Sequence, residues 1–356
     1  MSGQGREHRS EERARSGAPR GSEPEGTVSA LAVLPTPLTE APRLAEALGL
    51  RAPLLVKRDD LTGFAVAGNK ARQLGPLVDD ARAAGADVLV TGGSPGSNFV
   101  QAATAAACWA GLGCVLVVAG PPDPRPEHPN LAAARAWGAE LRFTGEEDRT
   151  SVDRCLPVVA AELTSAGRRP YVVPRGGASP VGASGYRHAV DEVLVQLQTG
   201  RHGRFGPREP VVVVATGAGG TLAGLVAGNV AHGRPLRVVG VSVSRPPQEV
   251  AARVLDLARR VAGLHGEPAP NAGDVKLVDA RGPGHALPSA EGAAAAATAL
   301  RTAGLVLDPV YTAKALAVLP AVTGGAPALF WHTGGLLDAV ASWLGTGAPD
   351  AARPAR

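Results

Sequence analysis

The sequence has few cysteines and few aromatic residues: 3 of its 356 residues are Cys, and 3% are Phe, Trp or Tyr. Cys108, Cys114 and Cys155 form no CxxC pair, which gives little support for a disulfide framework or a zinc site. We therefore expect three reduced, buried thiols and no bound metal. The net charge of +4 comes without any run of five like charges, so nothing favours nucleic-acid binding.

Long hydrophobic runs are also absent. No window reaches the ~18 uninterrupted apolar residues that a membrane helix needs, and the N-terminal stretch lacks the apolar core of a signal peptide. We expect no membrane partner and a cytoplasmic location. Residues 1–28 contain five Arg and five Glu with almost no apolar side chains, so they should form a disordered tail, and 346–356 a shorter flexible one.

Short β-branched runs alternate with Ala-rich stretches between these tails. Runs this apolar, separated by helical stretches, are typical of parallel strands covered on both faces. The sequence therefore predicts an α/β, doubly wound fold. The predicted strands are DVLVT (87–91), CVLVVA (114–119), YVV (171–173), VVVVAT (211–216), LRVVGVSV (236–243) and ALFWHT (328–333).

One strand runs directly into a glycine-rich turn. Thr216, Gly217, Ala218, Gly219 and Gly220 follow the valine run, and Thr221 stands where a helix should begin. Backbone N–H groups at a helix start form an anion site, and the spacing fits neither a dinucleotide fingerprint nor a P-loop. We predict that this loop binds a lone phosphate monoester. The alternative is that the loop is a tight turn that needs glycine only for its backbone angles.

Lys70 follows Gly68 and Asn69 in the stretch AGNKARQL. Most lysines are solvated surface groups. A lysine whose pKa is lowered can also condense with an aldehyde. The predicted phosphate site at Thr216–Thr221, called the cradle below, together with such a lysine suggests a cofactor that carries both a phosphate and an aldehyde.

Eight sequence blocks occur in order along the chain. They are LPTPL (34–38), KRDDLTG (57–63), GNKARQL (68–74), GGSPGSN (92–98), PRGGASPVGASGY (174–186), ATGAGGTLAGL (215–225), LDPVYTAKAL (307–316) and HTGG (332–335). Through these blocks the chain resembles, over about residues 30–340, the pyridoxal-phosphate enzymes that include D-cysteine desulfhydrase and 1-aminocyclopropane-1-carboxylate deaminase, with the tryptophan-synthase-β-like fold.

The resemblance implies a role for each matching residue. Lys70 would form the Schiff base with pyridoxal 5'-phosphate and shuttle the α-proton, and Asn98 would hydrogen-bond the cofactor's phenolic oxygen. Ser97 would lie by the substrate carboxylate, Tyr311 would exchange a proton with the leaving group, and Thr312 would face the pyridine nitrogen. Ser97 and Asn98 are alternatively a plain helix cap, and Tyr311 an ordinary packed tyrosine.

Three positions depart from the family pattern. Gln73 stands where a second lysine often reaches the phosphate, and Phe99 where a polar residue is usual. His285 replaces a second active-site tyrosine, which makes it either a catalytic candidate or a plain surface or core histidine. A neutral hydroxyl at Thr312 does not stabilise a protonated pyridine ring, which favours β-elimination over cyclopropane opening.

The resemblance also implies the overall organisation and activity. We expect a large lobe from 29–70 and 182–345, a small lobe from 71–181, and a homodimer. The implied activity is elimination and deamination of a small amino acid to a 2-oxo acid and ammonia. The alternatives are a cyclopropane-opening deaminase, another reaction on an unusual amino acid in a biosynthetic pathway, or a cofactor-binding protein without turnover.

Overall fold

A computed structural model describes residues 31–122, 127–199, 209–284 and 286–345. The predicted tails, residues 1–28 and 346–356, lie outside the described residues, and so does His285.

The described residues form two β-sheets. The strands of the first are β1 (Leu38–Glu40), β2 (Leu54–Arg58), β7 (Val211–Thr216), β8 (Arg237–Ser242), β9 (Lys276–Asp279) and β10 (Ala328–His332). Those of the second are β3 (Val88–Gly93), β4 (Gly113–Val118), β5 (Glu140–Phe143) and β6 (Pro170–Val172). The first sheet has the order β1-β2-β10-β7-β8-β9 and the second β5-β4-β3-β6. All neighbours are parallel except β1 and β2, which confirms the predicted α/β class.

Helices connect the strands and cover the sheets, as parallel sheets require. They are α1 (Pro42–Ala47), α2 (Lys70–Ala83), α3 (Asn98–Trp109), α4 (Pro129–Ala136), α5 (Thr150–Ser165), α6 (Pro180–Thr199), α7 (Gly220–Ala231), α8 (Pro247–His265), α9 (Ala290–Ala303), α10 (Thr312–Thr323) and α11 (Leu336–Leu344).

The valine run of β7 shows why the first sheet is buried on both faces. Val212 and Val214 pack into one apolar cluster, with α6, α7 and α8. Val211 and Val213 pack into the cluster on the opposite face, with α1, α9 and α10. Successive side chains of a strand point to opposite faces, so an uninterrupted apolar run fits only a strand covered on both sides.

Each sheet falls within one of the two predicted lobes. All strands of the second sheet lie between Val88 and Val172, inside the segment 71–181, and the strands of the first sheet come from the segments before and after it. The exact lobe boundaries stay a prediction. Loops that follow β3, β7 and β10 meet at one cleft, as expected for ligand sites beyond the carboxyl ends of parallel strands.

The expectation that all three thiols are buried is wrong. Cys108, near the end of α3, is exposed, and Cys155 is half-buried; only Cys114 is buried. The helix turns Cys108 toward solvent together with its exposed neighbour Trp109. All three cysteines are free thiols. Among the described helices, none combines the length and apolar character needed to cross a bilayer.

Candidate active site

A cleft of about 550 Å³ brings most of the predicted site residues together. Its lining includes Lys70, Ser97, Asn98, Tyr311 and the whole loop from Thr216 to Thr221. These residues come from both sheets' loops and are far apart in the sequence. The structure therefore supports their assignment to one site, while their individual roles remain predictions.

Lys70 is the first residue of α2 and lines the cleft. Its Nζ donates a hydrogen bond to Gln73 Oε1 at 3.2 Å. Burial lowers the pKa of Lys70 to about 8, so about a tenth of the amine is neutral and nucleophilic at pH 7, far more than in an ordinary lysine. Of the four lysines in the sequence, all of them described, Lys70 alone lines this cleft.

A buried polar network holds the start of α2 in place. Arg72 donates to both carboxylate oxygens of Asp59, at 2.9 and 3.0 Å, and to Glu192 at 2.9 Å. Asp59 also accepts from Tyr186 at 2.6 Å and from Trp331 at 2.7 Å. Since a buried charge is tolerated only when it is well paired, this set of contacts fixes the helix that carries Lys70.

The loop between β7 and α7 has the geometry of an anion cradle. Gly219, at the N-cap of α7, adopts a φ of +98°, a backbone conformation that residues other than glycine rarely adopt. The Asn69 amide donates to Thr221 Oγ1 at 3.0 Å on one side of the loop. A Cβ added to Gly220 would lie 2.6 Å from Gln73 Nε2, so the amide of Gln73 borders the cradle directly.

Gln73 Nε2 is buried and has no hydrogen-bond partner among the described residues. An orphaned buried donor is costly unless a ligand satisfies it. A phosphate oxygen in the adjacent cradle would do so. The glycine loop, this amide and a buried amine together fit a group that carries a phosphate and an aldehyde.

Ser97 caps α3, since its Oγ accepts a hydrogen bond from the backbone N–H of Phe99 at 3.3 Å. Ser97 also lines the cleft, so the capping role and a role toward a substrate carboxylate coexist. Phe99 is almost fully buried against Gly177, and it adds an apolar wall rather than a polar contact.

Asn98 is held by a carboxylate from the far end of the chain. Its Nδ2 donates to Asp338 Oδ2 at 2.8 Å, and Asn130 donates to Asp338 Oδ1 at 2.9 Å. His128 Nε2 lies 3.6 Å from the same carboxylate, and burial lowers the pKa of this histidine. Asp338 thus joins α11 to α3 and α4 and orients the amide predicted to face the cofactor.

Burial raises the pKa of Asp338 to about 7, and the nearby charge of Asp308 adds to the rise. In the unfolded chain an Asp titrates near ~3.9. Between about pH 4 and pH 7 the folded protein therefore holds a proton that the unfolded chain has released. The free energy of unfolding should consequently contain a term that is fully present below about pH 4 and is lost as the pH rises through about 7.

Asp338→Asn should remove this term and flatten the pH dependence of stability between pH 5 and 8. Denaturant unfolding with cofactor in excess, at several pH values, measures the slope, and the slope rather than the absolute stability is compared because Asn also alters one hydrogen bond. Glu46→Gln, at an exposed side chain of α1 that does not line the cleft, is the control. An Asp338→Asn slope equal to that of the wild type would contradict the assignment.

Tyr311 packs its ring against the cradle, since a Cβ added to Gly217 would lie 3.0 Å from Tyr311 Cε1. Burial raises the pKa of Tyr311, and the carboxylates of Asp338 and Asp308 add to this effect. The phenol is therefore protonated at neutral pH and can act as a hydrogen-bond donor, while its raised pKa makes it a weaker acid than a free tyrosine, so proton transfer from it requires a strongly basic departing atom. The backbone N–H of Tyr311 donates to Asp308 Oδ1 at 2.6 Å, which fixes its position.

Thr312 does not line the cleft, in contrast to its predicted place by the pyridine nitrogen. Its side chain is fully buried, and its Oγ1 donates to Asp308 Oδ2 at 2.5 Å and accepts from the Asp308 backbone N–H at 2.8 Å. The hydroxyl is thus committed to the start of α10. The preference for elimination that rested on Thr312 loses this support. Thr333, directly after β10, does line the cleft.

Four lining or supporting residues had no assigned function in the sequence: Asn69, Asp308, Thr333 and Asp338. Asn69, Asp308 and Thr333 lie inside the quoted blocks GNKARQL, LDPVYTAKAL and HTGG, which is a signal that could have found them. Asp338 carried none, because its contact to Asn98 spans 240 positions. No cluster of three or more His, Cys, Asp or Glu side chains suited to a metal occurs in the described part of the chain.

Comparisons with known proteins agree with this geometry. A family profile described as pyridoxal-phosphate dependent enzyme matches residues 30–334. The D-cysteine desulfhydrase of Salmonella typhi is 36% identical over 317 residues, which cover 85% of this chain and 92% of the relative. A Pyrococcus abyssi protein provisionally named 1-aminocyclopropane-1-carboxylate deaminase is 35% identical over 310 residues, with 85% and 89% covered. A crystal structure of an ACC deaminase homologue is similar with a TM-score of 0.77 and 33% identity, covering 86% of this chain and 91% of the other.

Proposed function

The chain belongs to the family of pyridoxal-phosphate dependent enzymes, and from this premise we propose that it eliminates a β-leaving group from a small amino acid. The products would be a 2-oxo acid and ammonia, as in a D-cysteine desulfhydrase. The observation that carries the proposal is the meeting of a phosphate cradle, a lysine of lowered pKa and a protonated tyrosine in one cleft.

Different residues of the cleft would bind different parts of the cofactor in this proposal. Backbone N–H groups of the loop 216–221 and the amide of Gln73 would hold the cofactor phosphate. Asn98, oriented by Asp338, would face the phenolic oxygen. Thr333 offers a hydroxyl within the cleft lining, and we assign to it the contact with the ring that the sequence had suggested for Thr312.

The cofactor, when bound, supplies an aldehyde that condenses with amines and a ring that withdraws electrons from the substrate's Cα. The protein supplies the proton transfers. Lys70 Nζ would accept the α-proton, and Tyr311 would donate a proton to the departing atom. Ser97 and the first turn of α3 would hold the substrate carboxylate, where the helix N-terminus favours an anion.

We expect the purified enzyme to release pyruvate from D-cysteine or β-chloro-D-alanine, and roughly tenfold less 2-oxobutyrate, or none, from 1-aminocyclopropane-1-carboxylate. Expulsion of a good leaving group requires only the removal of the α-proton and one proton donor to the departing atom. Of the three tyrosines in the sequence, all described, Tyr311 alone lines the cleft, so the second active-site tyrosine of the family pattern, replaced here by His285, has no substitute among the other tyrosines.

The measurement is 2-oxo acid release from both D and L enantiomers over a range of pH. Faster 2-oxobutyrate release from the cyclopropane substrate would favour the deaminase alternative, toward which one relative and one solved structure point equally well. An absorption band without any substrate-induced change across a broad amino-acid panel would favour a binding protein without turnover.

Two further properties belong to the proposal. We propose a homodimer, as the family resemblance implies, and a cytoplasmic location, which agrees with three free thiols in a reducing compartment. Sedimentation analysis of the holoenzyme and fractionation of the cells that express it would test these two properties separately.

A further inference from the structure

The cleft carries more positive charge than the chemistry proposed above requires. Arg149 precedes α5, Arg175 lies in a short 3-10 turn after β6, and Arg245 lies in the loop between β8 and α8. All three line the cleft that contains Lys70 and Tyr311. Three separate segments thus bring a guanidinium to the same cavity.

The ion pairs of two of these arginines are oriented in the same way. Arg175 binds Asp153 through its Nε at 2.6 Å, and Arg245 pairs with Glu249. The arginine side chains are only 15% and 16% exposed, whereas each partner carboxylate is 45% exposed. The positive groups therefore lie in the less solvated position, where charge interactions are stronger. Asp153 also lines the cleft and offsets part of the charge of Arg175 there, whereas Glu249 is not part of the cleft lining.

Arg149 lies beside the loop that carries Arg245, since its Nη2 donates to the backbone carbonyl of Ser244 at 3.5 Å. Burial lowers the pKa of Arg149, the charges of Arg245 and Arg175 lower it further, and Tyr311 and Glu249 oppose the shift. Like charges gathered beside a reactive tyrosine repel each other, and a bound anion would relieve that repulsion.

The cofactor phosphate does not account for this cluster. The cradle is bordered by Asn69 and Gln73 at the Gly220–Thr221 end of its loop. The arginine side of the cleft meets the other end of the loop: a Cβ added to Gly176, next to Arg175, would lie 2.7 Å from Ala218 Cβ. Tyr311 packs on Gly217 at that same end. The cluster thus borders the substrate side of the cleft.

We propose that the enzyme selects amino acids whose β-substituent is a negatively charged leaving group, a sulfonate or a phosphate ester, with Arg149 as the main contact and Arg175 and Arg245 as supporting charges. This inference rests on the proposed elimination and names its substrate class. Guanidinium groups suit such anions because they form charge-assisted, often bidentate hydrogen bonds.

The reaction balances for such a substrate. The Cα–H bond breaks and its proton passes to Lys70, while the bond from Cβ to the anionic substituent breaks and the substituent leaves with the electron pair as sulfite or phosphate. The remaining aminoacrylate takes up water and yields pyruvate and ammonium. No oxidant or reductant is needed.

Aspartate and asparagine provide a matched pair for binding, since they have nearly the same shape, differ in β-charge and lack a good β-leaving group. We expect calorimetry on the holoenzyme to show aspartate, in the preferred enantiomer, binding about tenfold or more tighter than asparagine. In Arg149→Leu this ratio should fall toward one, and Arg149→Lys should retain part of it. Arg154→Leu, one turn further along α5 at an exposed side chain, should leave the ratio unchanged.

Turnover supplies the second readout, with O-phosphoserine and cysteate compared with β-chloroalanine. Equal binding of aspartate and asparagine, or a ratio that Arg149→Leu leaves unchanged, would overturn the charge preference even if neutral substrates react. An Arg149-dependent binding ratio without any 2-oxo acid release would instead overturn the elimination and keep the anion site. A ratio that declines with added salt supports the inference further.

Discussion

Lys70→Ala should lose the covalently attached cofactor and at least about 10⁴-fold of the activity, because proton transfer by a positioned group alone contributes ~10²–10⁴. The amine that condenses with the aldehyde and the base that removes the α-proton are the same atom in the proposed mechanism. The fold should survive, since Lys70 makes one side-chain hydrogen bond, to Gln73, whereas α2 is anchored by Arg72. Visible absorption, circular dichroism and 2-oxo acid release measure the three effects.

Lysine variants elsewhere provide the controls. Lys276→Ala changes an exposed residue of β9 and should leave absorption and turnover intact. Lys314 donates to the backbone carbonyl of Arg281 at 2.7 Å, and Lys57 pairs with Glu192, so both have structural partners. Borohydride reduction followed by peptide mapping should place the adduct on Lys70. An adduct on Lys57 or Lys314 would refute the assignment.

Uninterrupted apolar runs in the sequence predicted the central strands, and the glycine-rich stretch after one of them predicted the loop and helix that follow. The run VVVVAT predicts β7 at 211–216, and the structure has it at the same residues. Its carboxyl end leads directly into Gly219 and α7, so strand, loop and helix were all visible in one stretch. The family blocks then identified Lys70, which the structure brings into the same cleft.

Strands with weak or mixed patterns were harder to predict. β5 (ELRF) and β9 (KLVD) are edge strands whose residues are half-buried or exposed, so they lack an apolar run. β2 contains Lys57, which looks like a surface residue in the sequence. The structure buries it completely against Glu192, a partner 135 positions away that no local pattern reveals.

Hydrogen bonds that the site residues make within the protein explain the remaining differences between the predicted and the observed site. Thr312 matched a family position, but whether its hydroxyl is available depends on Asp308, four residues earlier, which holds it. Asn98 was predicted to face the cofactor, yet its orientation depends on Asp338 in the last helix described. Motif positions therefore indicate which residues gather at a site, whereas their hydrogen-bond partners decide which atoms remain available to a ligand.

Gly219→Val should weaken cofactor binding about 10- to 100-fold, through a backbone strain of ~1–3 kcal/mol at the cradle. Gly219 has a φ of +98°, which a β-branched residue adopts only at a cost, and its added side chain would also meet Val254 at 3.2 Å. Relief of the strain would rotate the N–H groups away from the phosphate. Titration of the apoenzyme with cofactor, followed by visible absorption and by the ³¹P resonance, measures the affinity and the phosphate's surroundings.

Two variants separate this effect from its alternatives. Thr221→Ala removes one hydrogen bond, the one from Asn69 at 3.0 Å, and should cost less, about 0.5–1.5 kcal/mol, because the backbone of the loop stays in place. Gly266→Val introduces the same residue at another positive φ, +64°, at the end of α8 where a Cβ would meet nothing within 4 Å. It should lower stability and leave cofactor affinity unchanged. Equal cofactor affinity in the wild type and Gly219→Val would show that the phosphate is held elsewhere. Backbone N–H groups that bind a phosphate lose their alignment with it when the backbone angles of their own loop change.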